Sequence, residues 1–142
     1  MSSKAAQTEA VGLFPVSYRI GGNKPGAVAF DVHLAVSTPT KTVHGAGLIT
    51  QAVNPPHHQP TALNGEYTFM TVMPNKTHIL VVAKGYGPVS PTQEIETTNV
   101  RLRMVLSKDW QSGTANFDYL WNGKWNTVDN ASVTIIAARI PE

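Results

Sequence analysis

The pair Asn122-Gly123 stands between two runs that both read as strands. Ahead of it, Thr114-Ala-Asn-Phe-Asp-Tyr-Leu120 alternates apolar and polar side chains; behind it, Ser132-Val-Thr-Ile-Ile136 is rich in β-branched residues. A two-residue type I′ turn needs positive φ at both central positions, and Asn-Gly is the pair that accepts this most readily. Trp121-Asn-Gly-Lys-Trp125 is therefore expected to close a tight hairpin, with the two tryptophans flanking the turn and able to face each other across it. The rest of the chain is expected to be further strands joined in the same way.

Strand patterns recur along the whole length. Leu13 to Ile20 alternates, with Val16, Tyr18 and Ile20 on one face; Pro15 cannot donate to a ladder, which places it at an edge or at the start of its strand. After the turn cluster Gly21–Gly26, residues 27–37 put Val28, Phe30, Val32, Leu34 and Val36 on one face, the pattern of a sheet with one side on a core. Residues 42–53 follow, with Gly45 and Gly47 marking a bulge, a sharp bend, or a close approach by another backbone or a bound ring. Three prolines make residues 54–60 an expected irregular loop. Strands are then expected over 66–72, 77–84, 98–107 and 131–140, with a turn at 73–76 and a stiff loop at 85–91. The segment 107–113 has room for one helical turn capped by Ser107. The fold expected is all-β: an antiparallel two-sheet β-sandwich of about eight strands first, an open barrel second. Residues 1–10 read as a flexible N-terminal tail and 11–142 as a single domain.

Charge excludes some functions. Only 14% of residues are charged and the formal net charge is +2. Nucleic-acid binding needs clustered cations, whereas here Arg101 and Arg103 form the densest group. With no cysteine in the chain, disulfides, thiolate metal sites and a Cys nucleophile are ruled out. Residues 1–10 lack the apolar centre of a secretory signal, and no run approaches the ~20 apolar residues of a membrane helix. A cytoplasmic protein, or one exported without a classical signal, is expected.

Candidate chemistry is sparse. His57 and His58 are adjacent, so in an extended segment they point to opposite sides, and a metal ion needs three or four converging ligands. His33, His44 and His78 lie on separate strands. No Gly-x-Ser-x-Gly elbow or phosphate-cradling glycine loop is present, and Glu94 with Glu96 reads as a solvated strand start. No enzyme, metal or cofactor is expected. Trp110, Trp121 and Trp125 are better candidates, because an indole face accepts the apolar face of a sugar ring while neighbouring amides and carboxylates hold its hydroxyls. A platform of Trp121, Asn122 and Trp125, with Asp118 and Asn126 as polar partners, is the expected site; core packing or cross-strand stacking is the competing role for these rings.

Three stretches, Ile49-Thr-Gln-Ala-Val-Asn-Pro-Pro56, Tyr67-Thr-Phe-Met-Thr-Val-Met-Pro-Asn-Lys-Thr-His-Ile-Leu80 and Leu102-Arg-Met-Val-Leu-Ser-Lys-Asp-Trp-Gln-Ser-Gly-Thr-Ala-Asn-Phe117, resemble a family of small bacterial proteins known only as a domain of unknown function. The resemblance implies a bacterial source and a stand-alone β-protein, and it brings no catalytic residues. The expected function is that of a non-enzymatic binding module with carbohydrate as the most concrete ligand. The alternative is a structural or protein-interaction domain acting through strand-edge pairing or self-association, including a homo-oligomer.

Overall fold

The computed structural model describes residues 12–53, 56–73, 76–87 and 97–138. Eight strands follow one another: β1 (Leu13–Gly21), β2 (Ala29–Ser37), β3 (Thr42–Gln51), β4 (His57–Met73), β5 (Lys76–Tyr86), β6 (Thr98–Ser107), β7 (Ser112–Trp121) and β8 (Lys124–Ala138). Each pairs antiparallel with the next, and β8 returns to pair with β1, so the sheet closes into a barrel in chain order.

The all-β, antiparallel, eight-strand expectation holds, but the two-sheet sandwich does not: one sheet curls round on itself and closes completely. The two architectures demand the same alternation, because each buries one face of every strand. The pattern says which side chains are buried, not which strands they meet.

A barrel of eight strands has an interior that side chains can fill. Tyr18, Ile20, Phe30, Val32, Ile49, Leu63, Ile79, Met104, Leu106 and Phe117 are among those that fill this one. Phe30 of β2 and Phe117 of β7 meet inside at 5.1 Å between ring centroids, so the core is continuous across the barrel. The inward glycines on β3 are close approaches, not bulges, since its ladders to β2 and β4 keep a continuous register. A Cβ on Gly45 would strike the carbonyl oxygen of His33, and one on Gly47 would stand 2.4 Å from the Phe30 ring. The outward positions carry Arg19, Asp31, His33, Asn64, Lys84, Arg101 and Arg103. Exposed Leu48, Phe69, Val82 and Ile136 share the outer surface with these polar side chains.

Other local expectations resolve in the same frame. Pro15 pairs with Ala35 of β2, while the described β1–β8 ladder starts at Val16, so Pro15 stands just past the described end of that ladder. Of the loop expected at 54–60, His57 to Pro60 belong to β4 and pair with β3 in register from Gln51 to Leu48. Pro60 is tolerated because its carbonyl, and hence its nitrogen, faces the flank where β5 has not yet begun. Segment 107–113 is a tight turn instead of a helical one: Trp110 takes φ 66°, off the helical path, and its N–H donates to Ser107 O at 2.9 Å. The N-terminal tail and Glu94 and Glu96 lie outside the described residues, as do most of the 85–91 loop and the centre of the 73–76 turn.

The start of β1, the end of β8 and Trp110 share one end of the barrel. Trp110 is buried there, edge-on to Phe14 (5.5 Å) and Tyr67 (5.0 Å), and its carbonyl accepts a 2.6 Å hydrogen bond from the Tyr18 hydroxyl. Burial raises the Tyr18 pKa, and the charge of Asp109 raises it further, so the hydroxyl stays a donor. This end is plugged; the opposite end is built differently.

Candidate functional site

At the far end, the strands do not finish level. β4 pairs with β3 from His57 but with β5 only from Ala62. β8 pairs with β7 from Lys124 but with β1 only from Val133. β4 therefore rises past β5, and β8 past β1, on either side of the barrel mouth, while β3 stays paired with β2 to Thr50. The inner faces of the β3–β4 and β7–β8 hairpins meet. The His57 ring lies 3.3 Å from that of Trp121, centroid to centroid and tilted by 41°, and 5.8 Å from that of Tyr119.

Below this contact β4 presents polar groups where the rest of the barrel presents apolar ones. His57, Gln59 and Thr61 alternate with outward His58 and Pro60 and are all buried. Thr61 Oγ1 donates to Asn99 Oδ1 at 2.6 Å, and Asn99 Nδ2 donates to Pro60 O at 3.4 Å. Asn99 sits at the irregularity where β6 slips past the end of β5, so its side chain serves the part of β4 that no strand covers. A Cβ on Gly85 would meet Thr61 Oγ1 at 2.1 Å; the missing side chain leaves room for this pair.

Two polar atoms of the mouth remain unsatisfied. His57 Nε2 and Gln59 Oε1 are buried, on residues only 5% and 7% exposed, and have no hydrogen-bond partner among the described residues. A buried polar group left unpaired costs about 1–3 kcal/mol, so such pairs call for an explanation. Burial lowers the His57 pKa, with the nearby Gln59 side chain opposing the shift and the His58 charge adding to it, so the imidazole is neutral near pH 7. Burial also raises the Tyr119 pKa, which keeps its hydroxyl protonated.

The five residues expected from the sequence divide between the two faces of the β7–β8 hairpin. The Asn122-Gly123 turn forms as expected, with φ 52° and 76°. Its register sets Trp121 opposite Lys124 and Trp125 opposite Leu120, and directly opposed residues share a face. The tryptophans therefore point to opposite sides and do not face each other. Trp121 and Asn126 are on the mouth side, Asn122 is at the tip, and Trp125 and Asp118 are outside. Trp125 lies beneath the Arg101 guanidinium, 4.4 Å from its ring centroid, and Asp118 accepts a 2.7 Å hydrogen bond from Thr127. Asn126 Nδ2 donates to the Lys124 carbonyl at 3.2 Å. Trp121 and Trp125 are both part-exposed, at 38% and 41%.

Gln59, Thr61, Asn99 and Tyr119 were not foreseen as site residues, and His57 was weighed only as a metal ligand. The period-two spacing of His57, Gln59, Thr61 and Leu63 was the available signal, and the prolines among them masked it. Two of the other histidines hold separate partners, His33 meeting Ser17 at 2.8 Å and His44 meeting Asn64 at 2.7 Å, whereas His78 Nδ1, on β5, is buried without one. Among the described residues no three His, Asp or Glu side chains gather as a metal site would require.

The model of one protein family, described as a domain of unknown function (DUF1842), matches residues 11–125 of the chain. Nothing among the curated proteins matches it.

Proposed function

The chain belongs to the DUF1842 family, and from that starting point we propose that it is a non-enzymatic binding domain whose ligand enters the barrel mouth, with carbohydrate as the class. One observation carries this reading: His57 Nε2 and Gln59 Oε1 are buried without partners beside a part-exposed indole. Sugar sites combine these parts, a flat apolar ring and a few fixed polar groups. Trp121, Asn122 and Asn126 supply the rim of the site, and His57, Gln59, Thr61 and Asn99 its floor. Trp125 and Asp118, on the outer face of the same hairpin, belong to the platform first expected but not to the mouth. The inward polar groups are imidazole, amide and hydroxyl, with no carboxylate among the described residues to serve as an acid or base.

The test is a thermal-shift and calorimetric screen against sugars. A ligand at a hundred times its dissociation constant stabilises the native state by ~2.7 kcal/mol, which moves the midpoint by several degrees. A saturable rise that Trp121→Ala removes and Trp125→Ala keeps supports the mouth. A rise lost only with Trp125→Ala moves the site to the outer face.

One feature favours a second reading, association through a strand edge. Closure of the barrel pairs most of every strand, but Lys124 to Ala131 of β8 have no partner on the β1 side. A bulge where Asp129 and Asn130 oppose Asn116, with Asn130 at φ 55°, bends this edge. Bulges of this kind blunt edges against pairing. Sedimentation of the protein at high concentration decides: a dimer abolished by proline at Thr127 supports edge pairing, and a monomer throughout rejects self-association.

A further inference from the structure

The chemistry of the mouth narrows its ligand further. This step rests on the proposal that the mouth is a binding site. We infer that the ligand is an uncharged sugar that seats two neighbouring hydroxyl groups between His57 Nε2 and Gln59 Oε1 and lays its ring against Trp121.

Gln59 Oε1 only accepts, so the ligand must bring an O–H or N–H to it. His57 Nε2 has no partner either, and burial keeps the ring neutral. In a neutral imidazole each nitrogen is a donor or an acceptor according to the tautomer. A hydroxyl satisfies either state, because it both donates and accepts. Two adjacent hydroxyls thus answer both atoms, one donating to Gln59 and the other turning to suit His57.

Charged groups answer them badly. A carboxylate or phosphate only accepts and would leave Gln59 Oε1 unpaired against a negative charge. An ammonium could donate to Gln59 but would be buried with no counter-charge among the described residues, at a cost of several kcal/mol. Asp118, the acid nearest in sequence to Tyr119, is on the outer face of β7, held by Thr127. Arg101 is outside as well, over Trp125. Lys124 shares the face of Trp121, but it is exposed at the hairpin tip, on the rim and not the floor. The remaining floor contacts, Thr61 to Asn99 and Asn99 to Pro60, are already made and fix the shelf on which Gln59 stands.

The ring lies against Trp121 for a related reason. His57 covers one side of the indole, yet Trp121 remains 38% exposed, so apolar ring surface is still open to a ligand at the mouth. The axial C–H face of a pyranose is a match for such a surface, and its hydroxyl edge then points down toward β4.

The experiment titrates the full chain with methyl glycosides of neutral hexoses, and in parallel with glucuronate and glucosamine. It follows tryptophan emission and the heat of binding. The expected result is saturable binding of at least one neutral glycoside with a change in emission. Its charged counterparts should bind at least about tenfold more weakly, the equivalent of one unpaired buried group. Gln59→Leu should lose about tenfold in neutral-sugar affinity while still folding; Gln59→Met serves if the leucine variant does not fold. A charged sugar that binds as tightly as its neutral counterpart overturns the ligand class but leaves the mouth as the site. Unchanged neutral-sugar affinity in the Gln59 variant overturns the seating. Binding lost with Trp125→Ala and kept with Trp121→Ala overturns the mouth itself, and no binding by any sugar overturns the class.

Discussion

His57 of β4 and Trp121 of β7 stack at 3.3 Å across the barrel mouth, although neither strand is hydrogen-bonded to the other. The contact joins two hairpins that the sheet leaves independent at their tips. Removing it should loosen both tips while the rest of the barrel stays intact. Trp121→Ala should cost about 0.5–1.5 kcal/mol, the worth of an aromatic pair, beyond its lost surface burial. Amide exchange of residues 57–61 and 121–126 should quicken, with little change at Phe30 or Phe117. Trp125→Ala should leave exchange at the His57 end unaffected.

Gln59→Leu should raise stability in the absence of ligand. The substitution removes an unpaired buried acceptor and keeps an apolar side chain of similar length. The gain expected is about 1–2 kcal/mol, seen as a higher urea midpoint at unchanged slope. A loss of stability would mean that Gln59 has a partner in solution.

At the plugged end, Tyr18→Phe should have the opposite sign. Its hydroxyl is buried and donates to the Trp110 carbonyl, which sits in a turn with φ 66°. Losing the bond leaves that carbonyl without this donor, at about 1–2 kcal/mol by chemical denaturation. No effect on sugar binding is expected, since the mouth is at the other end.

His57 should make stability pH-dependent. Burial holds its folded pKa below the ordinary histidine value near 6.5. Between the folded and unfolded values the unfolded chain binds more protons, so stability rises with pH through that window. Conversely, stability should be lost as pH falls from near 6.5 through the folded value, with a slope of at most about 1.4 kcal/mol per pH unit from this group. His57→Phe should flatten that part of the profile. The exposed Asp109, whose pKa is lowered first by the Ser107 hydroxyl and then by the Gln111 N–H, acts only at lower pH.

Gly47→Ala should destabilise the barrel by about 1–3 kcal/mol, the cost of overpacking. The new methyl would fall 2.4 Å from the Phe30 ring, which packs against Phe117 and has nowhere to retreat. A thermal melt is sufficient to read this change.

Much of the fold was legible in the chain. The alternation at Phe30, Val32, Leu34 and Val36 marks core positions directly, and Asn122-Gly123 marks its turn, because both depend on residues a few places apart. Closure was not legible, since the β1–β8 ladder joins residues such as Tyr18 and Ile135 that no local pattern links. The candidate site was half legible. Trp121 and Asn126 were singled out, but the turn register that separates Trp121 from Trp125 is a matter of one residue. The floor was missed because Pro56 and Pro60 read as a loop, whereas Pro60 stands where the strand has no paired neighbour on its nitrogen side among the described residues.

Seven of the eight ladders join strands adjacent in the sequence, and β1–β8 is the exception. Hairpins form quickly because their loops are short, while closing the first strand onto the last must wait until the others are in place. The final step of folding should therefore be the docking of β1 against β8. Until it occurs, the chain is an open meander with two bare edges, the form most exposed to intermolecular pairing. Joining the two strands by a short linker and opening the chain instead at the β2–β3 turn would turn that late, long-range closure into a local hairpin. Such a circular permutant makes β2–β3 the one long-range ladder instead, so its last folding step should move from β1–β8 to β2–β3, with the mouth at the opposite end undisturbed.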